Sequence, residues 1–247
     1  MSKIPPPRIK KPIRFSKSLN LSFYEKKIYN SNLKNFLKNK NTKFIKCYKK
    51  VRNLSMLSKE RLYNLYDCLN YIETNMIEGA IVEVGCYKGA SIGFCRNFSK
   101  KKIYGFDTFE GHPEPNSREK DIWGINQNKL FKKKKNWCKV DIDSVRKNIK
   151  TLCNFKNIKL IKGKFEDQKK EAKKIKKIAI LIIDVDWFEP TYFALKWFYN
   201  KISKYGFLII DDYGHHSGSQ LATDMYFKNK RKKFYHIDYS HVVSQKI

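Results

Sequence analysis

The sequence predicts an α/β fold, a doubly wound and mostly parallel sheet of seven strands with helices on both faces. Three observations predict it. Short, apolar, β-branched segments recur along the chain, as at Ala80 to Val84 and Ile178 to Ile183. Helical patterns separate them, which is how parallel strands are connected. Glycines and acidic residues follow several of these segments at once, where open α/β sheets bind their ligands.

Residues 1–50 are rich in Lys and Asn, with Pro5, Pro6, Pro7 and Pro12 near the start. Leu33, Phe36 and Leu37 repeat at helical spacing, so this stretch reads as a partly disordered basic arm or lid carrying a short helix. Residues 51–247 are read as the folded domain. From Ser58 to Asn75, the residues Leu62, Leu65, Tyr66, Leu69 and Ile72 form one helical face. Ser58 is placed to cap this helix, with Arg61 standing where a capping box would carry Glu. Ala80 to Val84 is the first strand, followed by a glycine-containing turn and a helix from about Ser91. Lys102 to Phe106, Ile158 to Ile161, Ile178 to Ile183 and Phe207 to Ile210 are the next four strands. Between the last two lies a helix opened by Pro190, burying Phe193, Leu195, Trp197, Phe198 and Ile202. Phe234 to Ile247 alternates as a terminal strand pair. The run Lys132 to Lys135 reads as an exposed loop.

Composition bounds the function. The chain of 247 residues is 41% hydrophobic and 15% aromatic, enough for one sizeable core and against general disorder. No apolar run approaches the length of a membrane span, and Met1 to Lys17 lacks the apolar stretch of a signal peptide. The six cysteines show no C-x-x-C pair and no His-flanked zinc spacing. They read as reduced structural thiols of a cytoplasmic protein. The net charge of +30 raises a nucleic-acid-binding alternative. The lysines are scattered along the whole chain beside abundant Asn, which is also how a biased composition writes a solvated surface, and that reading is preferred. An N-terminal arm is a candidate dimerisation element, so a homo-oligomer is kept open.

The first strand runs into Glu83-Val84-Gly85-Cys86-Tyr87-Lys88-Gly89. It lacks the close glycine pair that admits a pyrophosphate, yet its glycines allow a tight turn near a ligand without phosphates. S-adenosylmethionine (SAM) is such a ligand, and Glu83 suits its amino group or sulfonium side. Asp107 ends the second strand, about 20 residues on, where a carboxylate accepts hydrogen bonds from ribose hydroxyls. Phe165, after the third strand, is placed against the adenine. The plainer reading is that Gly85 and Gly89 only make a turn and that Asp107 caps a helix.

Asp184 and Asp186 follow the fourth strand, and Asp211 and Asp212 follow the fifth. If those strands are neighbours, four carboxylates crowd one sheet edge, which is costly without a cation. An all-oxygen donor set favours Mg²⁺, with Mn²⁺ or Ca²⁺ as alternatives. A cation would acidify and orient a bound hydroxyl, and a carboxylate outside its shell would take the proton. Asp186 is assigned that role. His215 and His216 are ranked second, as a pair expected to be solvated on a polar loop.

At these residues the sequence resembles the macrocin O-methyltransferase (TylF-type) family of sugar O-methyltransferases. The resemblance runs from about Val51 to the end of the chain. It rests on Ser55-Met56-Leu57-Ser58-Lys59-Glu60-Arg61-Leu62, Glu83 to Ser91, Gly105-Phe106-Asp107-Thr108-Phe109-Glu110-Gly111 and Gly163 to Asp167. Asp184-Val185-Asp186-Trp187-Phe188-Glu189-Pro190-Thr191 and Asp211-Asp212-Tyr213-Gly214 complete it, with Trp187-Phe188 in place of the family's usual Leu-Tyr. It implies a class I, Rossmann-like methyltransferase fold with an N-terminal lid, SAM as donor and Mg²⁺. It implies Asp184, Asp211 and Asp212 as metal ligands, with Asp186 as base. Along these motifs the candidate SAM contacts are Met56, Glu83, Gly85, Tyr87, Gly89, Ser91, Asp107, Thr108 and Phe165. The implied acceptor is a hydroxyl of a sugar in a glycan, a nucleotide sugar or a glycosylated small molecule. A catechol-type acceptor is the enzymatic alternative, because vicinal aromatic hydroxyls also chelate a metal.

Overall fold

The computed structural model describes residues 42–117, 119–133, 136–229 and 232–247. The expected helix around Leu33 to Leu37 lies outside these residues. Two helices come first, α1 (Thr42–Val51) and α2 (Lys59–Thr74). The αβ alternation follows with β1 (Ala80–Val84), α3 (Ala90–Phe98), β2 (Ile103–Asp107), α4 (Gln127–Lys133), α5 (Ile142–Leu152) and β3 (Ile158–Lys162). It continues with α6 (Lys169–Lys174), β4 (Ile178–Ile183), α7 (Phe188–Phe198), β5 (Ile202–Ile210) and α8 (Ser217–Phe227), and ends with β6 (Tyr235–His236) and β7 (Val242–Gln245).

The seven strands form one sheet in the order β3-β2-β1-β4-β5-β7-β6. The first five in that order are parallel, and β7 runs antiparallel to both β5 and β6. Alternation along the strands builds two cores. Ile81, Ile180 and Ile182 face α1, α2, α3 and α5, with Phe44, Leu62, Leu69, Phe94 and Ile149 packed against them. Val82, Val84, Leu181 and Ile183 face the other side, against Ala172 of α6, Ala194, Leu195 and Phe198 of α7, and Phe227 of α8. Both faces of the central strands are therefore covered, which explains their unbroken apolar sequences.

Local signals account for the element ends. The Ser58 side chain accepts a hydrogen bond from the Arg61 backbone N–H and caps α2. Asp141 caps α5 through the N–H groups of Asp143 and Ser144. Pro190 lies in the first turn of α7, where no intrahelical donor is lost. Two expectations need correction. Ile202 is not on the helix face: a 3₁₀ turn over Tyr199–Lys201 ends the helix, and Ile202 opens β5 opposite Ile178. Lys132 and Lys133 are exposed but close α4 rather than lying in a loop. Among the described residues, no helix is long and apolar enough to cross a membrane.

After β3 the chain crosses to the far side of β1, so the strand order reverses between β1 and β4. Side chains from α2, from the strand-end turns and from the long β2–α5 connection converge there, at the carboxyl ends of the strands.

Candidate functional site

A cleft of about 430 Å³ opens at this reversal. Met56, Gly85, Tyr87, Ser91, Asp107, Thr108 and Phe165 line one part of it, and Asp184, Asp186, Asp211 and Asp212 line another. Two of the expected contacts do not line it. Gly89 is the left-handed residue before α3, and a Cβ there would meet the Ile149 and Val145 side chains. Its part is to let α3 pack on α5. Glu83 is buried beside the floor and lines a small adjoining cavity with Ser91, Asp184 and Asp211.

Gly85 has φ +91°, and a Cβ on it would sit 1.8 Å from the Asp184 carbonyl oxygen. Only glycine allows the β1 turn to press against the end of β4. Asp107 holds the same turn from the other side. Its Oδ2 accepts from the N–H groups of Cys86 (2.6 Å) and Tyr87 (3.0 Å), and its Oδ1 accepts from Phe109 N–H at 2.7 Å. Phe165 is buried edge-on against Phe106 and packs on Trp197 and Phe198 while still reaching the cleft. Burial pushes the Glu83 carboxyl up to about 8, against a hydrogen bond from Ser91, and its Oε2 has no partner among the described residues.

Pairing of β4 with β5 aligns Ile183 with Ile210, so the aspartates that follow each strand meet. Oxygen atoms of Asp184, Asp211 and Asp212 lie within 4.8 Å of one another. The three carboxylates differ in what surrounds them. Burial and the charges of Asp211 and Asp212 push Asp184 well above the usual carboxylate range. Burial and the Asp186 and Asp211 charges raise Asp212 likewise. Burial acts on Asp211 too, but Arg61 and His241 outweigh it and hold its carboxyl low. Arg61 Nη1 donates to Asp211 Oδ2 and His241 Nδ1 lies against Asp211 Oδ1, both at 2.6 Å. Asp212 is 8% exposed, and its Oδ2 has no hydrogen-bond partner among the described residues. A buried, unpartnered carboxylate oxygen beside two further carboxylates is what a hard divalent cation requires, so these residues fit one.

Asp186 sits at φ +61°, a strained backbone that Asp tolerates better than bulkier residues. Its carbonyl accepts from Ser219 N–H at 3.1 Å, tying it to the first turn of α8. Its Oδ2 lies 3.4 Å from both His112 Nε2 and His216 Nε2. Burial pushes the Asp186 carboxyl up to about 6. Burial also lowers His112 and His216, and brings His215 down to about 4, so these rings are neutral at pH 7. The expectation of a solvated His pair is thus corrected. His216 is 4% exposed and packed against Trp187, and His215 lies between Trp123, His216 and Tyr239. Trp187 in turn donates from Nε1 to the Pro113 carbonyl, and Glu119 accepts from Phe188 N–H, fastening the β2–α5 connection over the site.

Sequence reasoning did not find Arg61, His112 or His241 as parts of this site. The one available signal was Arg61 itself, a charged residue on the side of α2 shared with Ser58 and Leu65. No disulfide joins the six cysteines in this structure.

The family described as Macrocin-O-methyltransferase (TylF) matches residues 7–246 of the chain. Among curated proteins, a demethyldecarbamoylnovobiocin O-methyltransferase of Streptomyces niveus is 25% identical over 166 residues, 64% of this chain and 62% of that protein. A Streptomyces olivaceus 8-demethyl-8-(2,3-dimethoxy-alpha-L-rhamnosyl)-tetracenomycin-C 4'-O-methyltransferase is 26% identical over the same shares. The matched segment thus spans about six-tenths of each of these relatives. Among solved structures, the O-methyltransferase NovP superposes with a TM-score of 0.69 at 24% identity, over 78% of this chain and 82% of that one. The calicheamicin methyltransferase CalS11 superposes at 0.61 with 15% identity, over 94% and 96%. These superpositions place the chain in the same fold.

Proposed function

The chain belongs to the macrocin-O-methyltransferase (TylF) family, and from that premise we propose that it methylates a sugar hydroxyl of a glycosylated small molecule. SAM is the proposed donor, in the part of the cleft lined by Gly85, Tyr87, Ser91, Asp107, Thr108 and Phe165. The observation that carries the reading is the meeting of Asp184, Asp186, Asp211 and Asp212 at one wall of that cleft.

In this reading Asp107, already fixed by the turn N–H groups, uses its remaining Oδ1 lone pair for a ribose hydroxyl. Glu83, buried beneath the floor, supports the donor end of the cleft from below beside Ser91, and exposed Met56 stands at the mouth. Asp184, Asp211 and Asp212 would hold Mg²⁺, which would lower the pKa of an acceptor hydroxyl and orient it. Asp186 takes the hydroxyl proton. His112 and His216, neutral and flanking its Oδ2, orient that carboxylate and leave it free to accept. Trp187, His112 and the β2–α5 connection keep water from the reacting atoms. Positioning for in-line displacement at the sulfonium carries much of the rate.

The test is formation of S-adenosylhomocysteine from SAM with Mg²⁺ and a panel of glycosides and catechols. Asp184→Ala is expected to abolish metal-dependent turnover while keeping donor affinity. Asp186→Asn is expected to keep metal and donor binding but lower kcat by about 10²–10⁴. Full activity of Asp184→Ala would overturn the metal assignment, and turnover of catechols alone would overturn the acceptor class.

A further inference from the structure

Behind Asp211, on the side away from the cleft, lies a chain of buried polar groups that the proposed chemistry does not use. Asn64 stands one turn after Arg61 on α2, within a face otherwise made of Leu62, Leu65, Leu69 and Ile72, and is 3% exposed. A buried amide is costly unless hydrogen-bonded. Its Nδ2 lies 3.3 Å from Nε2 of His241, a residue 177 positions away and 2% exposed. His241 precedes β7, where its own N–H donates to Asp238 Oδ1 at 2.8 Å. The far side of its ring puts Nδ1 2.6 Å from Asp211 Oδ1.

The donor inventory fixes the protons. An amide nitrogen only donates, so His241 Nε2 accepts and Nδ1 carries the hydrogen. That hydrogen points at Asp211 Oδ1. The opposite tautomer would set two lone pairs against each other at 2.6 Å. Arg61 meanwhile donates from Nη1 to Asp211 Oδ2 and from Nε to Asp238 Oδ2, both at 2.6 Å, so Asp238 anchors both donors. Each Asp211 oxygen is thus held once, Oδ1 by His241 and Oδ2 by Arg61, and keeps a lone pair for a cation.

We propose that Asn64 and His241 are positioning residues for the cation site: Asn64 locks His241 in its Nδ1–H tautomer, and His241 with Arg61 fixes the Asp211 carboxylate in its ligating orientation. The inference rests on the metal reading above. It makes cation affinity depend on the contact of α2 with the turn just before β7, 177 residues farther along the chain. Removal of a hydrogen-bond partner behind a metal ligand typically weakens metal binding 10- to 100-fold.

The experiment uses the full chain labelled with ¹⁵N-histidine, with long-range ¹H–¹⁵N spectra of its five histidines and Mn²⁺ titration by electron paramagnetic resonance. The His241 signal, assigned by its loss in His241→Asn, is expected to show the proton on Nδ1 and none on Nε2. His241→Leu is expected to raise the Mn²⁺ Kd at least about tenfold, and Asn64→Leu to raise it in the same direction. His241→Asn, which restores an N–H donor near Nδ1, should recover most of the affinity. S-adenosylhomocysteine affinity stays at the wild-type value in each and reports that the fold is intact. A His241 proton on Nε2, or wild-type Mn²⁺ affinity in folded His241→Leu, overturns the inference and leaves the metal reading standing. Failure of the wild-type chain to bind Mn²⁺ overturns both. If His241→Leu does not fold, the wild-type spectrum and the Asn64→Leu titration still decide.

Discussion

Glu83 contributes a loss of stability to the metal-free, SAM-free protein as pH rises, and Glu83→Gln should remove that part of the loss. The carboxyl is buried and half-satisfied, and burial raises it from an ordinary 4.5 to about 8. The folded chain therefore keeps a proton that the unfolded chain releases. Its contribution is undiminished below about pH 4.5 and is progressively lost as pH climbs toward about 8. Linkage puts the loss at under about 1 kcal/mol at pH 5 and roughly 4 kcal/mol at pH 8. Glutamine has nearly the same shape and never ionises. The variant should match wild type within about 1 kcal/mol at pH 5 and exceed it by roughly 3–4 kcal/mol at pH 8, or about 10 °C in Tm for a chain of this size. Urea unfolding in chelator at both pH values measures it. Parallel pH profiles for the two proteins, or a variant less stable at pH 8, would refute the reasoning that Glu83 is buried without a cationic partner.

Two further predictions concern the carboxylate cluster. Asp184 and Asp212 are raised by burial and by their acidic neighbours, so a cation must displace protons to bind. Mn²⁺ at a hundred times its pH 8 Kd should therefore add about 2.7 kcal/mol of stability at pH 8 and less at pH 5.5, and an equal shift at both pH values would contradict this. Arg61→Met removes the partner of a buried carboxylate and should cost about 3–5 kcal/mol at pH 7.5. Because Asp211 is held below its usual value despite burial, that contribution exists above about pH 4 and fades as pH falls through the depressed value, so wild type and variant should converge in acid.

The fold was legible because its signals are local. The six apolar residues of β4 are buried on both faces and read as such, and Ser58 caps α2 as its position foretells. The helices α5, α6 and α8 were less legible. Val145, Ile149 and Leu152 are correctly spaced, but lysines between them dilute the pattern, and α8 begins after His216 without a side-chain cap. At the site, the aspartates announced themselves by standing at strand ends. Their environments did not. That Asp211 is stabilised as an anion while Asp212 is not depends on Arg61 and His241, which are 150 and 30 residues away. His216 looked like a loop residue and is buried because Trp187 and Asp186 enclose it. Long-range pairing of this kind leaves no periodicity to read.

The charge of the chain also divides differently in space than in sequence. A net charge of +30 would make the whole surface attractive to phosphates. The cleft opposes that field. Its lining holds the carboxylates of Asp107, Glu166, Asp184, Asp186, Asp211 and Asp212 against the cations Arg61 and Lys164, and Arg61 is already bound to Asp211 and Asp238. At short range and low dielectric, such a wall dominates over lysines solvated farther out. The cleft therefore favours a cation that displaces the protons of Asp184 and Asp212. The proposed sulfonium donor and divalent metal match that sign. The basic shell governs only what approaches the molecule from a distance.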